Sequence, residues 1–211
     1  MKKFISMIFV ALLVPFASQA ADYKEGTHYS VVNEKVSAKP EVREYFSFYC
    51  PHCLRFEPLM KDIAKSLPAG SSFEKNHVDF LRAASPEVQF NITKALVVAM
   101  QMPQKETLVA AMFDAIQVQR KPLASTAELR KLFESVGADG EKFEKLMSSF
   151  GVNSKAKQMK KFQDEMTRKG AITGVPTIIV NGKYKVEAGG LDKKDFLNDY
   201  KNLVLHLLTL K

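Results

Sequence analysis

Two cysteines are the whole thiol content of this 211-residue chain, and they stand three apart in Cys50-Pro51-His52-Cys53. Disulfide exchange proceeds by attack of a thiolate on a sulfur. A catalyst therefore needs one thiol with a lowered pKa and a second close enough to resolve the mixed disulfide. The four-residue spacing supplies both when it opens a helix. As a structural staple the pair would be poor, because the stabilisation a cross-link gives grows with the loop it closes. As a zinc site it would be half complete, since structural zinc is four-coordinate and His28, His77 and His206 are far apart in sequence. Redox chemistry is the expected use, with no metal and no bound cofactor.

Proline is favoured at the first helical position, where its missing N–H would have been unpaired in any case. Pro51 therefore starts the helix and makes Cys50 its N-cap. The unpaired N–H groups of the first turn, those of His52 and Cys53 among them, and the positive end of the helix dipole favour a sulfur anion there. Cys50 is thus the expected exposed and acidic thiol, with Cys53 one turn deeper. His52, when protonated, adds a positive charge near the Cys50 sulfur; its alternative role is an exposed first-turn residue.

The segment that delivers the chain to this helix is Glu41-Val-Arg-Glu-Tyr-Phe-Ser-Phe-Tyr49, rich in aromatics and expected as a strand. Alternation puts Glu44 on one face with Val42, Phe46 and Phe48, so its carboxylate is either buried or at an edge. Buried near Cys53, it could take and return the proton of the second thiol, with Lys75 as its ionic partner. An edge-strand salt bridge is the competing expectation. Leu54, Met60, Ile63, Ala64 and Leu67 give the helix an apolar side, and Pro58 should kink it by displacing the bond to Leu54.

A second core strand is expected over residues 73 to 80. From Pro86 to about Lys169 the spacing turns helical, as in Val88, Ile92, Ala95, Leu96 and Ala99. Ser125 with Glu128 forms a capping-box signature, and Gly137 is placed as a helix stop. Thr177-Ile-Ile-Val180, Asn181-Gly182 and Lys183 to Glu187 make a hairpin. The last helix carries Phe196, Tyr200, Leu203, Val204, Leu207 and Leu208 as one apolar stripe. Val175-Pro176 precedes the hairpin strand, where a proline can sit at the first residue, and a trans bond is the common state there.

The first twenty residues read as a secretory leader: Lys2 and Lys3, an apolar stretch from Phe4 to Phe16, and small residues ending at Ala20, where cleavage is expected. Loss of the two lysines lowers the formal charge from +8 to +6. The excess is spread along segments such as Lys155 to Lys169 without a basic cluster interleaved with aromatics, so nucleic-acid binding is not expected. The terminus Leu208-Thr-Leu-Lys211 lacks an ER retention tetrapeptide, which favours a bacterial periplasm.

Phe46-Ser-Phe-Tyr-Cys-Pro-His-Cys53, Gly174-Val-Pro-Thr177 and Val180-Asn-Gly-Lys-Tyr184 closely resemble the bacterial DsbA family of thioredoxin-fold periplasmic oxidases, across the whole mature chain. The resemblance implies an α/β thioredoxin-like fold with an inserted all-helical domain: a leader over 1–20, a first half with the cysteines over 21–84, the insertion over 85–165, and a second half with Pro176 over 166–211. It implies that Cys50 attacks and Cys53 resolves, that Pro176 is a cis proline facing the pair and binding substrate backbone, and that Val175 before it tunes reactivity. Glu44 and Lys75 match the family's buried charged pair. The expected partners are reduced or unfolded exported polypeptides and a membrane-embedded, quinone-linked reoxidase resembling DsbB, with the protein itself a monomer. Two rivals remain: a reductase or isomerase of the same fold, and a peptide-binding chaperone whose disulfide is incidental.

Overall fold

The computed structural model describes residues 22–210, so the leader and its cleavage after Ala20 lie outside the described residues. A five-stranded sheet has the order β1-β5-β4-β2-β3, where β1 is Tyr29–Val31, β2 Glu41–Phe46, β3 Ser72–His77, β4 Thr177–Val180 and β5 Tyr184–Val186. The β2 and β3 strands run parallel, joined by helix α1 (Pro51–Ser66), and every other pairing is antiparallel. Parallel neighbours need a crossover, and the α1 helix is that crossover. The β2 strand lies between β4 and β3, so Glu44 is interior and the edge-strand alternative is excluded.

Helix α1 and helix α7 (Phe196–Thr209) cover one face, where Val42, Met60, Ile63, Ile178, Leu203 and Val204 share a core. Pro58 stands within α1, which runs through it unbroken from Pro51 to Ser66. Between β3 and β4 come five helices: α2 (Pro86–Ala99), α3 (Lys105–Phe113), α4 (Thr126–Ser135), α5 (Gly140–Ser148) and α6 (Phe150–Arg168). Their apolar faces close on one another around Leu96, Met112, Phe133, Phe143 and Met159, and this core is continuous with Phe46, Phe48 and both cysteines. The helical block therefore shares its interior with the cysteine helix. Helix α6 runs beyond residue 165, and in its last turn the buried Met166 packs with Tyr45, Ile172 and Ile179 on the sheet.

Local signals behave as their chemistry dictates. Ser125 and Glu128 form both arms of the capping box, and Gly137 takes φ 82° after α4. Asn181 and Gly182 both take positive φ, 53° and 63°, as a tight two-residue hairpin turn requires. The short β1 was not expected. It has three residues, no full period of alternation, and exists by pairing with β5 through Tyr29, Ser30 and Val31.

Candidate active site

Cys50 is the N-cap of α1, with φ −97° and ψ 111°, and its sulfur accepts a hydrogen bond from the Cys53 N–H at 3.2 Å. A capping thiol in this position substitutes for the usual Ser or Asp oxygen, and a first-turn N–H favours it as an anion. Both cysteines are free thiols here. Cys50 retains 6 % of its exposure and Cys53 none, so the expected ranking holds while Cys50 is more enclosed than the word exposed suggests. Pro51 and His52 stand in solvent beside it.

These surroundings push the two thiols in opposite directions. The hydrogen bond from the Cys53 thiol, opposed by burial and aided by the Cys53 and His52 N–H groups and the His52 charge, brings Cys50 down to about 6. Donating that same bond, together with burial and the nearby Cys50 and Glu44 charges, raises Cys53. One sulfur is thus ready to ionise near neutrality while the other keeps its proton. The Nδ1 of His52 lies 2.8 Å from Nη2 of Arg55, one turn on. Because a guanidinium only donates, His52 Nδ1 accepts here and the ring carries its proton on Nε2 while this bond stands, so the His52 charge acts on Cys50 only when protonation breaks the bond.

The Cys50 thiol in turn donates to the Val175 carbonyl at 3.3 Å. The Val175–Pro176 bond is cis, against the trans state that is commonest for such a bond and in line with the family resemblance. Thr177 Oγ1 donates back to the Gly174 carbonyl at 2.8 Å, tying the loop that holds them.

Beneath the cysteines, Glu44 is wholly buried and faces Lys75 in the parallel register of β2 and β3. Lys75 Nζ lies 2.6 Å from Glu44 Oε2 and bonds also to Glu57 Oε1 of α1. Burial raises Glu44 while the Lys75 charge opposes; for Lys75 itself burial lowers, and the two carboxylates outweigh it. Glu44 Oε1 makes no hydrogen bond in this environment. Two buried carboxyl groups thus share one ammonium close to the thiols.

Glu57 escaped sequence analysis, although a Glu four residues after Cys53, on the buried side of a helix, could have signalled it. In the sequence His77 stands out only as a possible zinc ligand. It ends β3, buried and stacked on Phe48 with ring centroids 5.3 Å apart. Burial pushes it down to about 3, against the Asp79 charge, so it is neutral. Thr93 spends its hydroxyl proton on the Gln89 carbonyl at 3.1 Å, so His77 Nδ1 donates to Thr93 Oγ1 at 2.9 Å. That tautomer leaves Nε2 to accept from Ser47 Oγ at 3.4 Å, and Ser47 Oγ accepts the Tyr49 N–H. Among the described residues no group of three or more His, Cys, Asp or Glu is placed to hold a metal ion.

A thioredoxin-like sheet with an N-capping cysteine, a buried partner one turn deeper and a cis proline against the first sulfur defines a thiol-disulfide oxidoreductase. The DSBA-like thioredoxin domain model matches residues 41–201. The thiol:disulfide interchange protein DsbA of Salmonella typhimurium is 32 % identical over 217 residues, covering all of both chains, and that of Escherichia coli K12 is 30 % identical with the same coverage. Among solved structures, a Proteus mirabilis DsbA with a non-covalently bound peptide superposes with a TM-score of 0.79 at 29 % identity, over 90 % of this chain and 100 % of that one. A Klebsiella pneumoniae DsbA gives the same TM-score at 28 % identity, with the same coverage. The chain belongs to the DsbA family.

Proposed function

We propose that this oxidoreductase works as a dithiol oxidase on exported polypeptides, with Cys50 as the attacked sulfur and Cys53 as the resolving one. In the oxidised enzyme a substrate thiolate attacks Cys50, forming a mixed disulfide and expelling Cys53 as a thiolate that takes up one proton. A second substrate thiolate then attacks its own sulfur in that bond and releases Cys50, so two electrons pass to the enzyme. The observation that carries this direction is the N-cap geometry of Cys50, which favours its thiolate and hence the reduced form. Each unit of lowering corresponds to about 1.4 kcal/mol, or roughly 30 mV for a two-electron couple.

In this reading Glu44 supplies and recovers the Cys53 proton, with Lys75 holding its charge in check and Pro51 and His52 setting the first turn. Val175 and Pro176 receive extended substrate backbone; the peptide bound to the Proteus mirabilis relative supports a polypeptide substrate. The leader pattern supports export, with cleavage after Ala20 and a periplasmic site of action, and electrons would leave through a quinone-linked membrane partner resembling DsbB. The enzyme acts as a monomer, organised as a thioredoxin-like unit over 21–84 and 166–211 around a helical insertion over 85–165.

A glutathione redox titration, read with the pH dependence of Cys50 alkylation, tests the direction. An oxidising potential with an acidic Cys50 is expected. A potential near that of a cytosolic reductant would turn the assignment to a reductase or isomerase, and polypeptide binding without disulfide transfer, unchanged in Cys50→Ser, would turn it to a chaperone. If Glu44→Gln leaves the pH dependence of disulfide transfer untouched, the proton role is wrong.

A further inference from the structure

Residues 47 to 50 join β2 to α1 without belonging to either, yet they set where the Cys50 sulfur sits. Their backbone is held from several directions. The Cys50 N–H donates to the Ser47 carbonyl at 3.0 Å, and the Cys50 carbonyl accepts the Leu54 N–H at 3.2 Å as the first helical bond. Two further bonds come from the helical block: Gln117 Nε2 donates to the Phe48 carbonyl at 2.8 Å and to the Cys50 carbonyl at 3.0 Å. Gln117 sits in a single π-helical turn, Asp114–Val118, that directly follows α3. Such turns are rare and often mark functional positions. The same stretch seats Phe113 against Phe48, ring centroids 4.7 Å apart, so apolar packing and the amide both act on one short segment.

We propose that Gln117 is a positioning residue of disulfide exchange: its amide fastens the Phe48 and Cys50 carbonyls and so holds the Cys50 sulfur over the N–H groups of the first turn. Phe48 is wholly buried, and a buried carbonyl stripped of its donor is costly, so losing the amide forces the 48–50 backbone to turn toward another partner. The two redox forms feel this unequally. In the oxidised form the bond to Cys53 restrains the Cys50 sulfur covalently, whereas in the dithiol its place depends on these non-covalent contacts. Gln117 therefore favours the reduced form over the oxidised one, which makes the disulfide a stronger oxidant.

This role rests on Cys50 being the sulfur that exchanges with substrate, and the experiment separates the two. In the full-length mature protein, Gln117→Met keeps the length and much of the burial of the side chain but removes both donors; Gln117→Glu keeps the shape and turns a carboxylate toward two carbonyls. Cys50 alkylation against pH and the equilibrium with glutathione are measured for each, together with melting of both redox forms. For Gln117→Met the reduced-to-oxidised ratio at a fixed glutathione ratio is expected to fall by a factor of about three to ten, the worth of one hydrogen bond, with Cys50 ionising at higher pH. Gln117→Glu should move further the same way. If the unsubstituted Cys50 ionises like a free cysteine, the assignment of Cys50 and the role of Gln117 fall together. If it ionises early and Gln117→Met changes neither its ionisation nor the glutathione equilibrium, whatever happens to melting, only the role of Gln117 falls.

Discussion

Replacing Lys75 with methionine removes the one ammonium shared by Glu44 and Glu57, and the structure sets the size of the damage. Glu44 is 0 % exposed and Glu57 9 %, so at neutral pH two buried carboxylates would face each other without a counter-charge. One of them will protonate instead. Holding a carboxyl of ordinary value 4.5 neutral at pH 7 costs about 3 kcal/mol, and breaking a buried pair by removing one partner typically costs about 3–5 kcal/mol. In a domain of this size each kcal/mol lowers Tm by roughly 2–4 °C, so Lys75→Met should melt about 6–20 °C lower. The pH dependence has a definite sign. With Lys75 gone, nothing opposes the burial that already raises Glu44; a carboxyl raised in the folded state stabilises it below its unfolded value and loses that as pH rises through the folded value. The deficit of the variant should therefore be largest at neutral pH and shrink as pH falls toward the carboxylate range. Denaturant unfolding of both redox forms across that span measures it. A deficit below about 1 kcal/mol at neutral pH, or one that does not vary with pH, would refute the shared-ammonium argument.

Three further outcomes are expected. Cys50 should be alkylated with a midpoint near pH 6, and because its value is lowered in the folded dithiol, the stability advantage of the reduced over the oxidised form should be lost as pH falls through that midpoint. A gap between the two denaturation midpoints that stays constant from neutral pH to below that value would contradict it. His77→Leu leaves Ser47 and Thr93 without their shared partner, at a cost of about 1–3 kcal/mol in denaturant unfolding. Since His77 is held neutral in the folded chain but protonates near its ordinary 6.5 once unfolded, the unsubstituted protein gives up stability as pH falls through that value and the variant does not. The loss should therefore be largest at about pH 8 and shrink toward about pH 5. Gly190→Ala places a Cβ 2.3 Å from the Thr27 carbonyl oxygen, a backbone atom that cannot swing aside, so unfolding should ease by about 1–3 kcal/mol; an unchanged Tm would mean the 27–29 segment yields freely.

The identity and order of the main elements were legible because their signals are local. Pro51 at a helix start, the Ser125 and Glu128 box, the Asn181-Gly182 turn and the apolar stripe of α7 each depend on residues within a few positions of one another, and each forms as expected. The acidic cysteine was legible for the same reason, since an N-cap is defined by its own first turn. Glu44 was half legible: alternation placed it among Val42, Phe46 and Phe48, but alternation cannot distinguish an edge strand from a central one.

Long-range pairing decided the rest. That β2 is central, and that Glu44 is therefore buried, follows from β4 returning beside it more than a hundred residues later. The third member of the charged cluster, the neutral His77 linking Thr93 to Ser47, and the Gln117 amide on the Cys50 carbonyl all join segments that no sequence window holds together. Residue types and spacing determined which chemistry this chain carries, because a thiol pair at a helix start is a local device. Only the folded chain decided how that device is tuned, because the charges, donors and covering side chains around the two sulfurs are contributed by elements that meet solely through tertiary packing.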